Sequence, residues 1–164
     1  MSAPEGLIQQ WLAIPTAVED AIRDVPAATL DVQVSPDGLT VRETVHHIAE
    51  SVFIASHIIL AAKARPGMVY DWSWVWPNRE WQIRLGYPRV PIESSLALLQ
   101  ALCRHVAAFV QATEDGSQCG VQLLDSPGAA LYTRTVEELL AEQVAHTQEH
   151  LGPAIAAIAS ASRS

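Results

Sequence analysis

Apolar residues recur every three or four positions in four stretches of this chain, the spacing of one face of an α-helix. Leu7, Trp11, Ile14, Val18, Ile22 and Val25 form the first stripe and predict a helix from about Pro4 to Asp24. Ser2 and Pro4 suit its start, a capping hydroxyl followed by proline in the first turn. Pro15 falls inside it and predicts a kink or a break. The second stripe is Val41, Val45, Ile48, Val52, Ala55 and Ile59. Its helix opens with a capping box, Thr40 and Glu43, and stops at about Ala64 before Arg65-Pro66-Gly67. Leu96, Leu99, Cys103, Val106 and Val110 predict a third helix over about Ile92–Thr113. A second capping box, Thr135 and Glu138, opens the fourth, which carries Leu140, Val144, Leu151, Ile155 and Ile158 to about Ala159. Pro153 interrupts it. Four amphipathic helices and no convincing sheet predict an all-α four-helix bundle, a single domain over residues 1–164.

The connections are uneven. Val25–Leu39 holds Pro26, Pro36, Asp37 and Gly38 and promises little regular structure, and Glu114–Thr133 reads as a second loop. Met68–Pro91, a long loop between the second and third helices, carries Trp72, Trp74, Trp76 and Trp81, four of the five tryptophans, with Tyr70 and Tyr87. The alternation from Tyr70 to Trp76 suits a strand, but one short strand has nothing to pair with. Asn78–Leu85 suits a short helical turn. The aromatic segment has three readings: a cover over an apolar pocket, a contact between two copies of the chain, or rings that complete the core.

Composition narrows the class. The chain has 164 residues, 49% hydrophobic and 17% charged, with a net charge of −8. Its ten basic residues are scattered singly, so nucleic acid and an anionic membrane are poor partners. No basic region followed by an apolar core opens the chain, and Val52–Ala62 is short of the ~20 residues of a membrane span. Cys103 and Cys119 form no CxxC pair and read as reduced thiols of a cytoplasmic protein.

The chemistry lies in the histidines. His146 and His150 are four apart on the fourth helix, so they share a face and can share one metal ion. The pair alone is a weak signal. On a helical wheel His47 sits at the margin of the second stripe, beside Ser51, Ile54 and Ile58. His46 sits on the opposite, solvated face, beside Arg42, Glu50 and His57. His47, His146 and His150 therefore have mixed or apolar company beside core stripes. Neutral imidazole suits zinc, nickel, copper or iron, and three protein ligands leave a position for water or substrate. His57 and His105 read as structural or surface residues.

Leu39–Ser51, with His47-Ile48-Ala49-Glu50 at its centre, resembles the second-helix signature of the DinB/YfiT-like proteins. His146-Thr147-Gln148-Glu149-His150 resembles that family's H-x-x-x-H element in the last helix. Leu151 and Pro153 stand where arginine and glutamine usually follow. The resemblance implies that His47, His146 and His150 match the family's three metal ligands, with zinc or nickel bound. It implies thiol transfer or hydrolysis on a small-molecule substrate. For some members it implies a low-molecular-weight thiol, mycothiol or bacillithiol, and by family habit a homodimer. Glu50 and Glu149 are candidate catalytic helpers, as general base or as acceptors that orient a ligand, and Gln143 is a similar candidate. Two other function classes stay open: a non-catalytic, stress-related protein that holds a metal or small ligand, and a plain interaction module.

Overall fold

The structure, a computed structural model, describes residues 3–34, 38–75 and 78–163. In chain order it comprises α1 (Ala3–Ile22), α2 (Ala27–Leu30), α3 (Val41–Ala64), β1 (Val69–Asp71), α4 (Arg79–Leu85), α5 (Glu93–Gln111), β2 (Gly120–Leu124), β3 (Tyr132–Thr135) and α6 (Val136–Ala161). The four predicted long helices are α1, α3, α5 and α6. α1 runs unbroken through Pro15, and α6 runs unbroken through Pro153. The predicted Ser2 cap lies outside the described residues, as do Pro36, Asp37 and Trp76. Both capping boxes form: Thr40 accepts from the Glu43 amide and Glu43 from the Thr40 amide, and Thr135 and Glu138 repeat the exchange.

The helices close a ring in which α1 and α3 each pack against α5 and α6. The stripes read from the sequence largely fill its interior, with Trp11, Val18, Val52, Ile59, Leu99 and Val106 fully buried, whereas Ile155 of the fourth stripe is exposed. The Trp11 indole N–H donates to the Cys103 carbonyl at 3.0 Å and fixes α1 on α5. α3 is long and apolar enough to cross a membrane by length and composition, but half of that window is buried inside the bundle. Cys103 and Cys119 are both free.

Three connections differ from the sequence reading. Val25–Leu39 includes the short helix α2 and a bridge between Gln33 and Thr40. Glu114–Thr133 is not a plain loop, because β2 and β3 pair antiparallel within and just beyond it, with Gly120 opposite Thr135. The strand suspected at Tyr70 has a partner after all. β1 pairs parallel with β2, Val69 against Gln122 and Asp71 against Leu124, giving a three-stranded sheet in the order β1-β2-β3. A parallel partner arrives only after a crossover, here through α4 and α5, so local patterning could not reveal it. The aromatic segment is thus part strand and part helix. α4 is capped by the Asn78 side chain and ends at Gly86, whose φ of 80° suits glycine.

Candidate metal centre

His47 belongs to α3, and His146 and His150 lie one turn apart on α6. The structure brings the three together. One ring nitrogen of each lies within 4.8 Å of those of the other two. Ring centroids are 5.2 Å apart for His47 and His146, and 4.5 Å for each of the other two pairs. All three rings are half-buried. The His47 Nδ1 is buried and has no hydrogen-bond partner. An orphaned buried ring nitrogen beside two more imidazoles is costly unless something binds it. A divalent ion fits this donor set, because neutral imidazole nitrogens are its preferred ligands.

The electrostatics agree. Burial, joined by the neighbouring His150 and His146, lowers the His47 pKa to about 4. Burial also lowers His146 and His150, partly opposed by the Glu149 carboxylate. The cluster is therefore uncharged at neutral pH, the state a metal requires.

His47 and His146 border a cavity of about 800 Å³. α3 contributes His47, Glu50, Ser51, Ile54 and Ile58, and α6 contributes Leu139, Glu142, Gln143, His146 and Glu149. Trp72 and Val75 from the aromatic segment, with Leu123, Asp125 and Tyr132 from the sheet region, complete the wall. Of the three readings of the aromatic segment, lining a pocket describes Trp72 and Val75. Trp74 is instead exposed.

Gln143 holds the two histidine-bearing helices together. Its amide donates to the Ser51 hydroxyl at 2.9 Å, and Ser51 donates to the Ile48 carbonyl at 2.9 Å. Its side-chain bond is thus to a serine across the cleft and not to a histidine.

Two placements from the wheel need correction. His46 is not on a solvated face. It is 5% exposed, with Nδ1 2.8 Å from the Ser95 hydroxyl and Nε2 3.0 Å from the Val90 carbonyl. A carbonyl only accepts, so Nε2 carries the hydrogen and Nδ1 accepts from Ser95. Glu50 is also not turned outward. It lines the cavity, and its two oxygens accept from the Trp81 indole at 2.7 Å and from the Tyr87 hydroxyl. The reason is the same for both. The segment from α4 to the start of α5 covers the face of α3 opposite its stripe, and a single-helix wheel cannot see it. Arg79 of α4 reinforces this by pairing with the fully buried Glu43 at 2.7 Å. Glu149 is exposed at the cavity rim. His57 and His105 are exposed, beside Tyr70 and Phe109.

Asp125 and Tyr132 also line the cavity, although the sequence reading placed them in a plain loop. The signal was available in the alternation Val121, Leu123 against Gln122, Leu124, followed by Pro127-Gly128 and then the β-prone Tyr132-Thr133.

A four-helix bundle with three histidines converging beside a cavity defines the class. The chain belongs to the DinB superfamily, whose description matches residues 10–154. Among curated proteins none matches the chain. Among solved structures it is similar to YfiT from Bacillus subtilis, with a TM-score of 0.79 and 21% identity over 94% of this chain and 85% of that one. YfiT is described as a probable metal-dependent hydrolase with an unusual four-helix bundle topology. At that identity the likeness speaks for the fold.

Proposed function

We propose that this protein is a metal-dependent enzyme in which His47, His146 and His150 hold one divalent ion, zinc or nickel, and a small electrophilic substrate enters the adjoining cavity. The observation that carries this reading is the three uncharged imidazoles, one with an orphaned buried nitrogen, at the edge of a largely apolar cavity of about 800 Å³. A bound ion of this kind lowers the pKa of a thiol or of water into the neutral range, which suits thiol transfer or hydrolysis. The chain's own residues do the rest. The Ser51–Gln143 bond keeps α3 and α6 at the spacing that lets the histidines converge. Ile54, Ile58, Leu123 and Leu139 exclude water from the substrate's apolar part. Glu149, at the rim one residue before His150, is the carboxylate placed to accept a proton from the nucleophile. Glu50 serves to hold the aromatic segment, since both its oxygens are already engaged.

Metal analysis of untagged protein tests the reading, followed by turnover assays with and without a low-molecular-weight thiol such as mycothiol or bacillithiol. The expected result is about one zinc or nickel per chain and turnover that chelation abolishes. A protein that takes up neither ion when supplied would sink it. Tight metal binding with no turnover of any ester, amide, halide or epoxide tested would instead favour a non-catalytic metal-holding protein.

A further inference from the structure

The cavity has a charge pattern that specifies its ligand further. Among the described residues its lining includes four carboxylates, Glu50, Asp125, Glu142 and Glu149, and no lysine or arginine. Among the described residues, only Glu142 is matched by a cation, through Arg134. Glu50 is held by neutral donors, the Trp81 indole and the Tyr87 hydroxyl, so its charge is not cancelled. Asp125 accepts from the Ser126 hydroxyl at 3.1 Å, again a neutral partner.

The cavity also has direction. His47 faces His146 and His150, Ser51 meets Gln143, and so α3 and α6 run antiparallel along the cleft. Eleven helical steps separate His47 from Ile58, roughly 16 Å of rise. The sheet closes the Ile58 end, because Tyr70 of β1 contacts His57, and the Trp72 amide bonds the Leu124 carbonyl beside Asp125. Tyr132 is paired with Leu123 at the same end. This wall therefore brings one carboxylate and two aromatic residues into the same lining, a combination that suits a cation. The Tyr132 ring already shows the preference, since the Arg134 guanidinium lies 5.0 Å from its centroid.

We infer that the cavity takes an elongated, mostly apolar substrate with a positively charged nitrogen, its cationic end at Asp125, Trp72 and Tyr132 and its reactive end at the histidines. The inference rests on the cavity being the substrate site. Anionic substrates are disfavoured, since an acid group would lose its water among carboxylates, and the Arg134 guanidinium beside Tyr132 is already paired with Glu142.

Three probes of one shape test this: 4-phenylbutylamine, 4-phenylbutanol and 4-phenylbutyrate. Their affinities are measured by calorimetry on the chelated full chain at neutral pH, so that no probe gains by ligating a metal. The amine should bind about tenfold more tightly than the carboxylate, with the alcohol between. Asp125→Asn should shrink that ratio several-fold, and so should raising salt from about 20 mM to about 500 mM on the unmutated protein. Equal or reversed ranking, a ratio indifferent to both Asp125→Asn and salt, or no binding of any probe at about 5 mM would overturn the assignment. Because no metal enters this measurement, its failure is separable from failure of the metal reading, which metal content decides.

Discussion

The Gln143 amide donates to the Ser51 hydroxyl at 2.9 Å, one helical turn from His47 on α3 and one turn from His146 on α6. Both groups face the cavity, and Gln143 is 7% exposed. Replacing Gln143 with leucine leaves the Ser51 hydroxyl without this donor, and should destabilise the fold by about 1–2 kcal/mol. Metal affinity should fall as well, since the histidines lose their relative placement. A double-mutant cycle with Ser51→Ala, read by urea unfolding, should give a coupling energy of about 1 kcal/mol. Additive single effects would show that the bond contributes nothing.

His47→Ala, His146→Ala and His150→Ala should each abolish stoichiometric metal binding. In unmutated protein, metal at a hundredfold over Kd should add about 2.7 kcal/mol, a rise in Tm on the order of 5–10 °C. Differential scanning calorimetry before and after chelation reads this directly. His46→Ala should keep the metal and lose stability instead, because it removes the Ser95 and Val90 hydrogen bonds from a buried site.

Metal-free protein should lose stability as pH falls through the histidine range. The folded His47 pKa, about 4, lies below its unfolded value of 6.5. Above 6.5 neither state carries the proton and the group has no effect on stability. Between 6.5 and 4 the unfolded chain takes up a proton that the native state refuses. Stability is therefore lost across that window, up to on the order of 3 kcal/mol from His47, and the loss levels off below pH 4. His146 and His150 shift in the same direction. Urea midpoints at pH 7.5 and pH 5 should differ in the wild type, and the difference should shrink in His47→Gln.

Glu50→Ala should loosen the aromatic segment without unfolding the bundle. It removes the acceptor of both the Trp81 indole and the Tyr87 hydroxyl. Amide exchange should accelerate at least tenfold in residues 79–87, while the Val41–Ala64 core of α3 keeps its protection. Unchanged exchange in α4 would mean that the Arg79–Glu43 pair holds the segment unaided.

The long helices were legible in the sequence because each rule involved is local. A stripe at helical spacing needs only its own residues, and the capping boxes at Thr40 and Thr135 close within one turn. The proximity of His146 to His150 is equally local. Pairing them with His47 needed either the family resemblance or the fold, since about a hundred residues separate the two elements.

What depended on distant chain was not legible. β1 finds β2 only after α4 and α5 have intervened, so an isolated strand pattern at Tyr70 looked partnerless. His46 and Glu50 looked solvated because a wheel represents one helix, whereas the connection from α4 to α5 covers the far side of α3. The cavity drew its wall from α3, α6, the aromatic segment and the sheet region, which no single stretch encodes. The sequence by itself determined the helices, their caps and the residue types available for metal chemistry, because backbone hydrogen bonding and side-chain periodicity act within a few residues. Only the tertiary structure decided which histidines meet, which carboxylate stays open and what lines the cavity, because those follow from packing between elements far apart along the chain.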